Sequence, residues 1–182
     1  MDNDLISHRQ AAYLKGDSTI QQLSIIIHKI KLAWSKGKKT QGVFLDVSAA
    51  FDKAWHKGII AKLANNGVTD AALAFFESYL TNRTQITVVD GIKSDPKPVA
   101  SGVPRGSRLG PLLLIFYYND IVNNITAEIY LFADDLCIFV NGPNIDHITN
   151  QINTNLQTIS EWAKKWKVSF SPLKSKTILF SH

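Results

Sequence analysis

The chain has 182 residues, 45% of them hydrophobic and 19% charged, with a mean hydropathy of −0.03. That is globular material of single-domain size and excludes a disordered or membrane-embedded chain; no apolar run reaches bilayer length and Met1-Asp2-Asn3-Asp4 is no secretory leader, so an intracellular protein, nuclear or cytoplasmic, with no membrane partner is expected. A net charge of +5 leaves room for a polyanionic partner, and the single cysteine, Cys137, excludes a disulfide framework and a zinc site.

Asp17 and Ser18 read as a helix N-cap, with Gln21 completing a capping box. Ile20, Leu23, Ile26, Ile27, Ile30 and Trp34 follow at helical spacing, until Gly37 ends the helix. Gly42-Val43-Phe44-Leu45 is a short strand that stops at Asp46. Helices are expected over 57–66, closed by Gly67, and over 70–80. Residues 85–89, the pair Asp90-Gly91 and Ile92 onward predict a hairpin with a type I′ turn. Pro111 suits the first position of a helix running to about Asn123. Two apolar runs, 129–133 and 136–140, then flank Asp134-Asp135 and predict a buried hairpin with the acids at its tip. Ile145, Ile148, Ile152, Leu156, Ile159, Ala163 and Trp166 mark a long amphipathic helix, and 175–181 a last strand. Helices and strands alternate with hairpins interposed, which predicts an α+β domain: one antiparallel or mixed sheet with helices packed against it.

Adjacent carboxylates at the tip of an apolar hairpin repel each other and lose hydration unless a cation or open water compensates them. A solvated turn is the ordinary reading of such a pair, and a divalent metal is the alternative. Asp46 ends another apolar strand, so if the two strands are neighbours three carboxylates share one sheet edge. Phosphoryl transfer uses such a set: two Mg²⁺ ions about 3.5–4 Å apart clamp the attacking and leaving oxygens. Asp46 and Asp134 would bridge both ions, Asp135 would assist from the side, and the backbone carbonyl of Val47 could add a ligand. Phe51 is either a core aromatic or, with a nucleoside triphosphate over the metals, a ring under the sugar that collides with a 2′-hydroxyl. The segment from Ser101 to Pro111 places Gly102, Gly106 and Gly110 before a predicted helix, where the chain can approach a ligand closely and offer backbone N–H groups to phosphate. Arg105 and Arg108 are candidate contacts to triphosphate or nucleic-acid backbone, or solvated side chains. Lysines cluster at 29, 31, 36, 38 and 39 and at 164, 165 and 167, as nucleic-acid contacts or solvated helix faces.

Phe44-Leu45-Asp46-Val47-Ser48-Ala49-Ala50-Phe51-Asp52, then Gly-Val-Pro-x-Gly-Ser-x-Leu-Gly-Pro over 102–111, then Phe132-Ala133-Asp134-Asp135 resemble in order and spacing the successive palm motifs of a reverse transcriptase. The style is closest to that of non-long-terminal-repeat (LINE-type) retrotransposons. Gly16-Asp17-Ser18-Thr19 with Gln22-Leu23, Ser78-Tyr79-Leu80-Thr81-Asn82-Arg83 and Asn119-Asp120-Ile121 are similar to that family too, so the resemblance covers nearly the whole chain.

The resemblance implies a polymerase palm, a ferredoxin-like antiparallel sheet with packed helices, over 42–182 with an inserted fingers hairpin at about 84–101. A partial fingers segment over 1–41 carries the amphipathic helix. It implies an RNA-directed DNA polymerase that takes an RNA template, a DNA primer and a dNTP. Two Mg²⁺ ions, for which Mn²⁺ can substitute, would be bound by Asp46, Val47, Asp134 and Asp135, with Phe51 as sugar gate and Arg105 and Gly106 against the nucleotide. Lys174 matches the lysine that protonates departing pyrophosphate, and Lys176 is the weaker match.

Four positions depart from the family pattern. Arg105 stands where glutamine is usual, Leu14 where a fingers arginine is common, leaving Lys15 as its substitute, Phe132 replaces a tyrosine and Ser171 an asparagine. By the same resemblance the chain begins partway through the fingers and stops where a thumb would begin, so a truncated fragment with low activity alone is expected, because positioning supplies much of the acceleration. Two other readings stand beside the polymerase: a catalytically inactive remnant that keeps the fold and binds nucleic acid through its lysines, and another palm-type nucleotidyl transferase such as a cyclase, which the loop before Pro111 argues against.

Overall fold

A computed structural model describes residues 5–13, 16 and 18–181 of the chain. Two units divide it, one made of Met1–Ser48 with Tyr118–His182 and the other of Ala49–Tyr117. The first opens with α1 (Thr19–Ser35) and β1 (Lys39–Asp46). The second follows with α2 (Ala50–Lys53), α3 (His56–Asn65), α4 (Asp70–Leu80), the two-residue strands β2 (Thr84–Gln85), β3 (Val88–Val89), β4 (Ile92–Lys93) and β5 (Lys97–Pro98), and α5 (Leu109–Tyr118). The chain then returns to the first unit with a 3-10 turn at Asn119–Val122, β6 (Glu128–Phe132), β7 (Asp135–Gly142), α6 (Ile145–Lys165) and β8 (Lys176–Phe180).

In the first unit the sheet order is β6-β7-β1-β8 and every pairing is antiparallel. The two-residue period of the strands sorts their side chains onto two faces. On one face Val43, Ile129, Leu131, Leu136, Ile138 and Val140 form a buried core with Ile148, Ile152 and Ile159 of α6. Burying one such side chain stabilises the fold by about 1.5–3 kcal/mol. Asn144 starts α6 by accepting the His147 N–H at 2.9 Å. Midway along it the buried Asn155 accepts the N–H groups of Thr126 and Ala127 at 2.8 and 3.1 Å, which fixes where β6 begins. This helix and strand arrangement is the α+β architecture expected from the sequence.

The opposite face carries Gly42, Phe44, Tyr130, Phe139 and Phe180, with Phe139 in ring contact with Phe44, Tyr130 and Phe180. Gly42 has no room for a side chain, since a Cβ would stand 2.7 Å from the Phe139 ring. Part of this face is covered by α1, capped by Ser18 Oγ accepting the Gln21 N–H as expected. Lys29 pairs with Glu128 at 2.6 Å, Trp34 Nε1 donates to Phe180 O, and Ile30 and Ala33 are buried. The N-terminal half of its apolar stripe is not covered: Ile20, Leu23 and Ile27 are 75%, 56% and 51% exposed. Helical periodicity specifies that a stripe exists, whereas the sheet has width only for the C-terminal turns.

In the second unit α3 and α4 pack on each other, and Gly58 lets α3 approach the rings of Trp55 and Tyr117, which a Cβ would meet at 2.7 and 3.0 Å. The expected hairpin is present as two short ladders, β2 with β5 and β3 with β4, joined at the tip by Asp90 and Gly91, both at positive φ as a type I′ turn requires. The helix expected from Pro111 starts two residues earlier, at Leu109, because Ser107 Oγ accepts the Gly110 N–H and so caps it; it ends at Tyr118, before the 3-10 turn. No helix among the described residues is long and apolar enough to cross a membrane.

Candidate active site

The register of β1 with β7 sets the centre of the site. Phe44 lies opposite Cys137, Leu45 opposite Leu136, and Asp46 opposite Asp135. Phe132 pairs with Asp135 across the β6–β7 hairpin, so only Ala133 and Asp134 form its turn, with Ala133 in the left-handed region at φ 57°. Asp135 is therefore the first residue of a strand and the direct neighbour of Asp46, where the sequence suggested both acids at a tip. It points onto the face that α6 does not cover, together with Phe44, Tyr130 and Cys137. These residues, with Gln22, Phe132 and Lys174, line a cleft of about 340 Å³.

The charges in the cleft interact. Burial raises the Asp135 carboxyl above the usual carboxylate range, the charges of Asp134 and Asp46 raise it further, and Lys174 opposes them. Lys174 Nζ stands 3.6 Å from Asp46 Oδ2 and is largely exposed, which leaves it free to move. Asp46 Oδ2 itself is buried and has no hydrogen-bond partner. A buried carboxylate oxygen is costly unless a cation meets it, and at rest the Lys174 ammonium is that cation. The donor set, carboxylate oxygens beside one another, is that of a hard divalent ion such as Mg²⁺. Among the described residues no three carboxylate, histidine or cysteine side chains are gathered closely enough to enclose a metal as they stand.

The segment after α6 is stitched to the backbone of Asp46, and this brings Lys174 to the cleft. Ser171 N–H donates to Asp46 O and Ser48 N–H to Ser169 O, both at 2.8 Å, while the Asp46 N–H donates to Ser175 Oγ at 3.3 Å. These bonds flank the buried Val47, which bridges Phe170 without using its own carbonyl there. Ser171 acts through its main chain, so the loss of an asparagine side chain at that position costs nothing in this contact. Lys176 donates instead to Leu173 O in the same loop. Burial and the Asp135 charge push the Cys137 thiol up to about 12, so it lines the cleft as a neutral, unreactive group.

Phe51, Arg105 and Gly106 belong to the second unit, where Phe51 and Arg105 line a separate cleft of about 660 Å³ with Arg83, Gln85 and Ser101. Arg105 makes a bidentate ion pair with Asp52, Nε to Oδ1 at 3.1 Å and Nη2 to Oδ2 at 2.6 Å. The glycine-rich segment is used differently from the phosphate cradle suggested by its composition. Gly102 N–H donates to Ala54 O and Val103 N–H to Phe51 O, and the Gly102 carbonyl is held by Arg83 at 2.6 Å and by His56 at 2.8 Å. Burial lowers the His56 pKa. Gly106, exposed and at φ 75°, is open to a ligand. Leu14 and Lys15 lie outside the described residues.

Sequence reading missed Gln10 and gave Gln22 no structural role. Gln22 Nε2 donates to Leu131 O at 3.1 Å in β6, and the fully buried Gln10 bonds the backbone of Ala133 on both sides. Neither contact has a local signal, because each joins positions more than a hundred residues apart.

The reverse transcriptase (RNA-dependent DNA polymerase) family matches residues 1–181. The chain is 31% identical over 172 residues to the RNA-directed DNA polymerase from mobile element jockey of Drosophila melanogaster, covering 90% of this chain and 19% of that protein. It is 28% identical over 177 residues to the probable RNA-directed DNA polymerase from transposon X-element of the same species, covering 94% and 19%. The chain thus spans about a fifth of the length of these curated relatives. A solved structure of telomerase from Candida albicans, in complex with a fragment of telomeric RNA, matches 93% of this chain and 32% of its own with a TM-score of 0.69 at 11% identity, a likeness of fold.

Proposed function

Because this chain belongs to the reverse transcriptase (RNA-dependent DNA polymerase) family, we propose that it is the core of an RNA-directed DNA polymerase, which transfers a nucleotide from dNTP to the 3′-hydroxyl of a DNA primer on an RNA template. The observation that carries the reading is the strand register that sets Asp46 beside Asp135, next to Asp134, with the buried Oδ2 of Asp46 making no hydrogen bond and facing the Lys174 ammonium at 3.6 Å. In this reading 42–182 is the palm-like domain that holds the four-stranded sheet, residues at about 84–101 are a fingers hairpin inserted in its sequence, and 1–41 is a partial fingers segment.

Asp46, Asp134, Asp135 and the Val47 carbonyl would hold two Mg²⁺ ions, or Mn²⁺ in their place. The chemistry such ions would supply is activation of the 3′-hydroxyl and neutralisation of charge on the transferring phosphate. The charges of Asp134 and Asp46, which add to burial in raising the Asp135 carboxyl, would favour a cation at this edge. Lys174 partners Asp46 at rest and, being exposed, can turn to the departing pyrophosphate and protonate it. By the family resemblance Phe51 would act as the sugar gate and Gly106 as a nucleotide contact. Arg105 replaces the usual glutamine there, and its charge must first leave Asp52 to reach a phosphate.

The test is extension of a DNA primer on an RNA template in Mg²⁺ or Mn²⁺, with Asp46→Asn and Asp134→Asn beside the unaltered chain. Extension by the unaltered chain and its loss in both variants is the expected result. Full activity in either variant removes the metal assignment. The Arg105–Asp52 pair favours a second reading, a folded remnant that binds nucleic acid without catalysis. Salt-dependent RNA binding that is indifferent to Asp134→Asn, with no extension, would support it.

A further inference from the structure

We propose that Gln10 is a positioning residue for the Asp134–Asp135 carboxylates: its buried side-chain amide holds the turn that carries Asp134 and leads into Asp135 at the start of β7. Gln10 is 0% exposed. Its Oε1 accepts the Ala133 N–H at 3.0 Å and the Ala12 N–H at 2.9 Å, and its Nε2 donates to Ala133 O at 3.3 Å. One side chain thus satisfies both main-chain groups of Ala133, as a neighbouring strand would, at the point where the hairpin leaves its ladder.

Ala133 is the residue that needs such a hold. It sits at φ 57°, where an L side chain crowds the following carbonyl, and it occupies one of the two turn positions between Phe132 and Asp135. Without a bond on either side of that peptide the strained conformation has little to favour it, and the turn can relax and carry Asp134 and Asp135 with it.

The backbone delivers Gln10 to this place. Residues 9–11 run parallel to β6, with the Leu131 N–H donating to Arg9 O at 2.8 Å and the Ala11 N–H to Leu131 O at 3.1 Å. Gln22 closes the same edge by donating to Leu131 O. A filler of the core would be apolar, since a buried amide is costly unless its groups are bonded. Here the bonds converge on the turn. The consequence for metal binding rests on the polymerase reading above, because carboxylate placement within about 0.5 Å is what a metal pair demands.

Two variants separate positioning from packing. Gln10→Met fills the same space without hydrogen bonds, and Gln10→Glu restores the two accepted bonds. For each, amide exchange at Ala133 is measured relative to Ile129 and Ile138 in the same hairpin, and Mn²⁺ affinity is measured by electron paramagnetic resonance beside Asp134→Asn. The expected result for Gln10→Met is Ala133 exchange tenfold or more faster relative to the strands and about tenfold weaker Mn²⁺ binding, both partly recovered in Gln10→Glu. Unchanged relative exchange in Gln10→Met overturns the proposal, even if Asp134→Asn still abolishes Mn²⁺ binding and so upholds the polymerase reading. Faster Ala133 exchange in a chain that binds no Mn²⁺ at all upholds Gln10 as the anchor of the turn and sinks the metal assignment instead.

Discussion

Replacing Gly102 by alanine probes a tight main-chain approach in the second unit. A Cβ at this position would lie 2.6 Å from Phe51 O and 2.7 Å from Asp52 O, and the residue sits at φ 85°, which L side chains rarely adopt. The left-handed conformation alone costs roughly 1–2 kcal/mol. The two oxygens belong to the main chain of α2, so the loop must withdraw. Withdrawal weakens the bonds from Gly102 N–H to Ala54 O and from Val103 N–H to Phe51 O, each contributing about 0.5–1.5 kcal/mol net. The sum, with both bonds lost, is roughly 2–5 kcal/mol, or a fall in Tm of about 4–20 °C for a chain of this length. Gly106→Ala is the control: its φ is 75° but nothing lies within 4 Å of the added carbon, so it should lose the conformational part alone, roughly 1–2 kcal/mol. Urea unfolding of both variants measures the difference. Equal losses, or a Gly102→Ala loss below about 1 kcal/mol, would show that the loop does not depend on the close approach.

Phe51→Ala should admit ribonucleotides, raising incorporation of rNTP relative to dNTP about tenfold or more; unchanged discrimination in a competition assay would remove the gate assignment. Arg105→Gln should raise the rate of nucleotide addition while changing stability by less than about 1 kcal/mol, since the ion pair it breaks is exposed on both sides. A stability loss without gain in rate would mark Arg105 as a structural tie to Asp52. Glu128→Gln tests the pair that docks α1 on the sheet. The Lys29 hydrogen bond, opposed by burial, holds the Glu128 carboxyl below its ordinary value of 4.5. A depressed carboxyl contributes stability that is fully present above about 4.5 and is lost as pH falls through the folded-state value. With both partners partly exposed the difference at neutral pH should be no more than about 1 kcal/mol. Unfolding free energies of the two chains should converge at low pH, and a gap that widens there would contradict the assignment.

Much of the first unit was legible because its signals are local. Ile148, Ile152 and Ile159 recur at helical spacing and are buried; the apolar runs on either side of Asp134-Asp135 gave the hairpin. Two apolar strands each ending in an acid suggested that Asp46 would meet the pair, and the antiparallel register does bring Asp46 opposite Asp135. What the sequence withheld depends on partners far along the chain. The stripe of α1 carried no information on how much of it the sheet would cover. The glycines at 102 and 110 advertised close approach without naming the approaching group, which is the chain's own backbone and not a phosphate. Arg105 met Asp52 across 53 residues, and Gln10 met Ala133 across 123, pairings for which neither composition nor period holds a trace.

The central claim is that template RNA dictates DNA synthesis at the Asp46, Asp134 and Asp135 centre. Single-nucleotide addition tests it most directly: a DNA primer annealed to an RNA of known sequence, offered one dNTP at a time in Mg²⁺, with the Asp134→Asn chain alongside. Addition of only the dNTP complementary to the next template base, changing when that base is changed and absent from the Asp134→Asn chain, is the predicted result. Addition indifferent to the template base, or persisting in the Asp134→Asn chain, would contradict the account.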